Sequence, residues 1–190
     1  IFINTHFRLS AGAEDAKLTI APGTVIKMAD GAWIAINENL QAVGTAERPI
    51  IFTSFHDDSV GGDTNGNGQA TSPARGDWQS FYFEADSSAS LLEHVEIRYL
   101  GMSGRGNNDA RNAIDIAAGQ NPTLRNVRIV DTFSHGIWAR GSSQPVIQNV
   151  RVERAGGWVL VLDLASDPSV QGLTGFGNGN NGIHIFGGAL

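Results

Sequence analysis

The sequence predicts an all-β chain wound as a parallel solenoid of about six to seven coils, each about 23 residues long. Three observations predict it. A segment repeats: NPTLRNVRI (121–129), QPVIQNVRV (144–152) and DPSVQGLTG (167–175) start 23 residues apart, with proline second in every copy. A second apolar burst follows 15 residues after each start, as GIWA from Gly136, VLVL from Val159 and GIHI from Gly182. Composition agrees. Glycine supplies 24 of 190 residues and charged residues only 17%, against about 7% and about a quarter in an average domain. Short strands joined by tight turns produce such a balance; long helices do not.

The elements follow in order. Ile1-Phe2-Ile3 opens in a strand-like segment, so the chain reads as part of a longer protein. TVIKM (24–28) and AWIAI (32–36) form the first pair of bursts. PIIFTS (49–54) and QSFYF (79–83) form the next, separated by an insertion at 55–78. LLEHVEI (91–97) and AIDI (113–116) repeat the pair around a second insertion at 98–112, and three regular repeats complete the single expected domain, 1–190. Side chains alternate with period two inside each burst, Ile137 and Ala139 facing one way and Trp138 and Arg140 the other. Returning to the same strand position every 23 residues means one full coil per repeat. Each coil then bonds in parallel to the next at about 4.8 Å and touches only its neighbours. Two kinds of strand are expected, about six of each.

Stacking in this register puts Glu93 over Arg125, Glu96 over Arg128 and Asn126 over Asn149, with a like-charge contact of Arg128 over Arg151. Opposite-charge pairs of this kind contribute a few tenths of a kcal/mol each, roughly. Leu124, Val127 and Ile129 all require the interior, which breaks the alternation at Arg125-Asn126. A corner at Asn126 resolves the conflict, because asparagine tolerates a left-handed backbone. His94 falls in the same column and is expected as a corner residue. Trp33, Trp78 and Trp158, at strand starts, are read as packing residues.

Several function classes drop out. A net charge of −6 and a pI near 5.2 argue against nucleic acid, which needs a basic stripe. Without cysteine there is no disulfide, thiol nucleophile or thiolate metal site. No apolar run reaches the roughly 18 residues of a membrane span. No serine nucleophile elbow, HExxH pair or phosphate-cradling glycine loop is present.

LTIAPGTVIKMADG (18–31) followed by LQAVGTAERPIIFTS (40–54) resembles the opening coils of bacterial right-handed parallel β-helix repeat proteins. So does DDSVGGDTNGNG (57–68) followed by GDWQSFYF (76–83) and LEHVEIRYLG (92–101). The likeness covers most of the chain. It implies a right-handed coil and a place outside the cell or on the bacterial surface, within a long protein. The wider fold group includes pectate lyases and polygalacturonases. No residue set here transfers from those enzymes, and a fold alone does not carry a function.

Both insertions fall at one corner, and insertions in a solenoid mark the binding face. In the longer one, Asp63, Asn65, Asn67 and Gly68 match the start of a D-x-[DN]-x-[DN]-G calcium loop. Ala74 stands where the closing glutamate belongs, which excludes an EF-hand. A partial calcium site completed by Asp57, Asp58 or Asp77 is expected, its alternative being a metal-free turn cluster. Calcium is the only cofactor expected. In the second insertion, Arg105 and Arg111 are candidates to pair with those acids or to clasp an acidic sugar. The column Asp115, Trp138, Val161, His184 is read as exposed, with Arg140 beside Asp163. Asp115 and Asp163, two coils and roughly 10 Å apart, fall within the carboxylate spacing of glycosidases. Trp138 between them offers a sugar platform, Arg140 a lyase base, and His135 a further ligand contact at the loop corner. Two functions compete: a non-catalytic spacer or glycan-binding module stiffened by calcium, or a polysaccharide lyase or glycoside hydrolase acting on the Asp115 sheet. Expected partners are a polysaccharide or cell-surface component, flanking domains, or a second copy end to end, since open solenoid ends expose strand edges.

Overall fold

A computed structural model describes residues 1–10, 17–101 and 112–187. Among these residues every element is a strand, and the strands pair in parallel. One sheet stacks seven strands in chain order: Phe7–Leu9, Ile34–Ile36, Phe81–Phe83, Asn112–Ile116, His135–Ala139, Trp158–Asp163 and Asn180–Phe186. The register steps as the repeat demands, Ile114 beside Ile137, Ile137 beside Leu160 and Leu160 beside Ile183. Phe2–Ile3 and Phe7–Leu9 supply the first of the seven coils.

The other sheet has eleven strands and bends, which corrects the expectation of two strand kinds. Leu91–Arg98 and Thr123–Val130 run through the bend, while the neighbouring coils break there into Val146–Gln148 and Arg151–Glu153. The cross-section therefore has three panels. The bend is the corner expected at Asn126: His94, Asn126 and Asn149 have φ of 49°, 52° and 51°. One left-handed residue cancels a strand's alternation, so Leu124 and Val127 can both face inward. The side chains then ladder, with the Asn149 amide donating to Asn126 Oδ1 at 3.3 Å. Gly172, at φ +70°, closes the column, where a Cβ would sit 2.6 Å from Asn149 Oδ1.

A continuous apolar core runs along the axis, from Ile26 and Phe52 through Leu92, Ile114 and Leu124 to Leu160. Phe52 and Phe81 meet edge to face at 5.2 Å across it. Outside, Arg128 reaches Glu96 at 2.7 Å and Arg125 approaches Glu93 to 3.5 Å. Arg128 does lie over Arg151. Glu153 relieves the contact by taking Arg128 at 2.5 Å and pairing with Arg151 as well. A second left-handed column, Tyr99, Asp131, Arg154 and Gly177, turns the chain into the seven-stranded sheet.

If backbone conformation is what Asn126 supplies, Asn126→Ala should cost about 1–2 kcal/mol more stability than Asn126→Gly, the penalty of a side chain in the left-handed region. Urea unfolding of both variants measures it, and equal losses would assign the effect to the side-chain ladder instead.

Candidate functional site

Both insertions leave the bent sheet at the Tyr99–Asp131 corner and return to the seven-stranded sheet. Their roots touch, since the Gly101 amide donates to the Gln79 carbonyl at 2.5 Å. The longer insertion is pinned from below. Lys27, an outward residue of strand Val25–Met28, is 2% exposed. Its ammonium donates to the Gly62 carbonyl and lies 3.7 Å from Asp58. Gly61 comes so close to this strand that a Cβ would lie 3.2 Å from Val25. Asp57 is buried under the loop and accepts from Thr53 Oγ1 at 2.5 Å and from the Ser59 amide and hydroxyl at 3.1 and 2.5 Å. Arg98, arriving from the next coil, reaches Asp57 at 3.3 Å. Burial alone raises the Asp57 carboxyl, but the Ser59 and Thr53 hydrogen bonds with Arg98 outweigh it and hold it below the usual range.

Between the root and the returning segment lies a polar cavity of about 390 Å³, lined by His56–Ser59, Gln69, Thr71, Ser72, Pro73 and Tyr99. Among the described residues His56 Nδ1 is buried without a hydrogen-bond partner, while Asp58 Oδ1, also without a hydrogen bond, faces the Lys27 ammonium. His56 is held through Nε2, 2.9 Å from Asp30. Burial, with the charges of Asp57 and Asp131, pushes the Tyr99 phenol up and keeps it neutral.

The calcium expectation narrows. Among the described residues no three acidic or histidine side chains gather as a metal cluster. Asp57 and Asp58 turn towards Arg98 and Lys27, and Asp77 accepts from Ser54 and the Ala74 amide. What the fold does bring together is Asp63, Asn65, Asn67 and Thr71. Asp63 accepts the Asn67 and Gly68 amides at 3.2 and 2.8 Å, and Asn65 and Asn67 both donate to Thr71 Oγ1. The Gly68 amide is the largest influence lowering the Asp63 pKa. Arg105 and Arg111 lie outside the described residues.

The Asp115 column is not exposed. Asp115, Trp138 and Val161 are 2%, 9% and 5% exposed, and only His184 faces solvent. Bulky neighbours lie down along the sheet: the Arg140 guanidinium sits 5.1 Å from the Trp138 ring centre, and Phe186 meets the ring edge at 6.2 Å. Trp138 is thus not an open platform. Arg140 pairs with Asp115 at 3.0 Å, not with Asp163. Asp163 instead staples a turn, taking the Gly141 amide at 2.6 Å and the Ala165 and Ser166 amides at 3.1 and 2.9 Å. Both its oxygens accept hydrogen bonds from that turn, and Arg140 does not join the two aspartates. His135 Nδ1 accepts the Trp158 amide at 2.9 Å, which fixes the ring against the next coil.

Residues 81–190, more than half the length, match the family described as the right-handed β-helix region. The chain belongs to the right-handed β-helix family. Neither the curated proteins nor the solved structures compared with it give a match. Among the described residues no helix is long and apolar enough to cross a membrane.

Three members of this β-helix's corner escape a reading of the sequence. Lys27 carries a signal, as the one charged residue in an otherwise apolar strand. Tyr99 and Arg98 become visible only once the insertion of the fourth coil is aligned with Asp131 and Val130. Burial raises the Asp115 carboxyl, with Arg140 and the Asn112 side chain pulling the other way. A raised folded-state value means that Asp115 supports folding below the unfolded value, near 3.8, and loses that support as pH rises. Asp115→Asn should therefore melt higher than the natural chain at pH 7, with the gap closing towards pH 4. Thermal melts across that range measure it, and a destabilised variant at pH 7 would sink the assignment.

Proposed function

We propose that this β-helix is a non-catalytic extracellular module of a bacterial surface protein that binds a glycan at the corner formed by its two insertions. One observation carries the proposal: a polar cavity lined by His56, Asp57, Asp58, Ser59, Thr71 and Ser72, whose buried His56 Nδ1 has no hydrogen-bond partner among the described residues. Buried polar groups require hydrogen bonds, and a polyhydroxylated ligand presents donors and acceptors at matching density. The non-catalytic reading is favoured because Arg140 pairs with Asp115 while Asp163 accepts the amides of a turn, so the three do not gather as one site.

Calcium belongs to the same proposal in a reduced form. The turn that joins Asp63 to Thr71 ends in the segment that walls the cavity, so an ion on Asp63, Asn65, Asn67 and Thr71 stiffens the binding site. A single carboxylate makes such a site weak, with Kd about 10⁻⁴–10⁻³ M, the range of extracellular modules. Calorimetric titration with calcium chloride should give this affinity in the natural chain and none in Asp63→Ala. Melting that ignores both calcium and EDTA removes the calcium part. For the glycan, array screening followed by calorimetry should find a ligand whose affinity falls about tenfold in His56→Ala, as loss of one buried hydrogen bond predicts. Full affinity in that variant moves the site away from the corner.

A further inference from the structure

The chain contains four Asn-Gly steps, at Asn65-Gly66, Asn67-Gly68, Asn178-Gly179 and Asn181-Gly182. Glycine has no Cβ to shield its nitrogen, so that nitrogen can attack the preceding asparagine side chain and expel ammonia. The fold treats the four steps differently. Asn178 spends its side-chain amide on the Val152 carbonyl and on Asn181 Oδ1, both at 2.9 Å, and its Oδ1 on the Ala155 amide at 2.7 Å. The Gly179 amide bonds to the Ala155 carbonyl at 2.8 Å. Asn181 lies within the strand Asn180–Phe186, and its Oδ1 accepts the Asn178 backbone and side-chain amides at 3.2 and 2.9 Å. Ring closure at either step would break these bonds.

Asn67 is exposed, and the groups around it are those the reaction needs. The Gly68 amide, the attacking nitrogen, donates to Asp63 Oδ2 at 2.8 Å. That carboxylate is placed to take the proton as the new bond forms. Asn67 Nδ2, the departing nitrogen, donates to Thr71 Oγ1 at 2.8 Å. Once the side-chain carbon turns tetrahedral, this nitrogen is a basic amine and accepts a proton from the same hydroxyl. Gly68, at φ +65°, has open space where a Cβ would stand. Asn65 is placed less well: it is half-buried, 3.2 Å from Thr71, and its Oδ1 accepts the Asn67 amide at 3.3 Å. We propose that Asn67 is a self-modification site. The Gly68 nitrogen bonds to Asn67 Cγ, the Cγ–Nδ2 bond breaks, and the Gly68 proton leaves with ammonia by way of Asp63 and Thr71. Water then opens the succinimide to aspartate or isoaspartate. The product adds a second carboxylate to the turn that holds Asp63, and a second charge raises calcium affinity about tenfold. That consequence rests on the calcium reading of the turn; the reaction does not.

Peptide mapping by mass spectrometry follows each step separately, in the natural chain kept at pH 8 either folded or in guanidinium chloride. Each conversion replaces NH by O, a gain of one mass unit. Folding should speed conversion at Asn67 at least about tenfold over the unfolded chain and slow it at Asn178 and Asn181. Asp63→Asn keeps the size of the side chain, removes the base and should lose the acceleration. Asn67 reacting no faster folded than unfolded overturns the site. An Asp63→Asn chain that converts at the natural rate, or faster, overturns it too and makes the carboxylate a guard of the turn. Calorimetric titration with calcium chloride then compares the natural chain with Asn67→Asp. Binding about tenfold tighter in the variant supports the link to the metal. Equal affinities, or no binding by either chain, overturn that link and leave the reaction to be decided by the mass spectra alone.

Discussion

Each coil of this molecule satisfies its backbone amides by lying on the next one, and every other feature answers to that ladder. A corner in one coil must recur in its neighbours at the same place, or the hydrogen bonds between them part. The repeated left-handed residues at His94, Asn126 and Asn149, and again at Tyr99, Asp131 and Arg154, are the result. Side chains at such corners are drawn into columns whether or not their chemistry favours it. Asparagine is suited to the position because it tolerates the backbone and bonds to its own copy. Arginine at Arg154 is accommodated by a bidentate bond to Asp131 at 2.9 and 2.7 Å.

The same constraint decides where novelty can enter. Extra residues inside a panel would shift the register of every later coil, so both insertions leave at a corner. Once there, the longer one does not float free. Lys27 and Arg98 reach up from the bent sheet to Gly62, Asp58 and Asp57, giving two buried ionic anchors. These anchors consume the acids that would otherwise crowd a metal, and in doing so they shape the cavity under the loop.

On the seven-stranded sheet, two aspartates that fall two positions apart in the repeat meet opposite fates. Asp163 ends its strand beside a tight turn whose amides point at it, which outweighs the rise from burial and holds its carboxyl below the usual range. Asp115 lies mid-strand between Tyr82 and Trp138, where burial dominates and its carboxyl rises. Distance along the axis made them look like a pair; local donors separate them.

The sequence by itself determined the coil, the register and the corner at Asn126. Those rest on spacing and alternation, which are properties of the chain alone. It also located both insertions, because an interrupted period marks its own gap. Only the tertiary structure decided that the long strands bend into two panels. It alone paired Arg140 with Asp115, released Asp163 to a turn and turned Asp57 and Asp58 away from the Asp63 loop. Each of those outcomes depends on which long side chain from a neighbouring coil arrives first, and a repeat pattern specifies positions along the axis, not the reach of a lysine or an arginine across it.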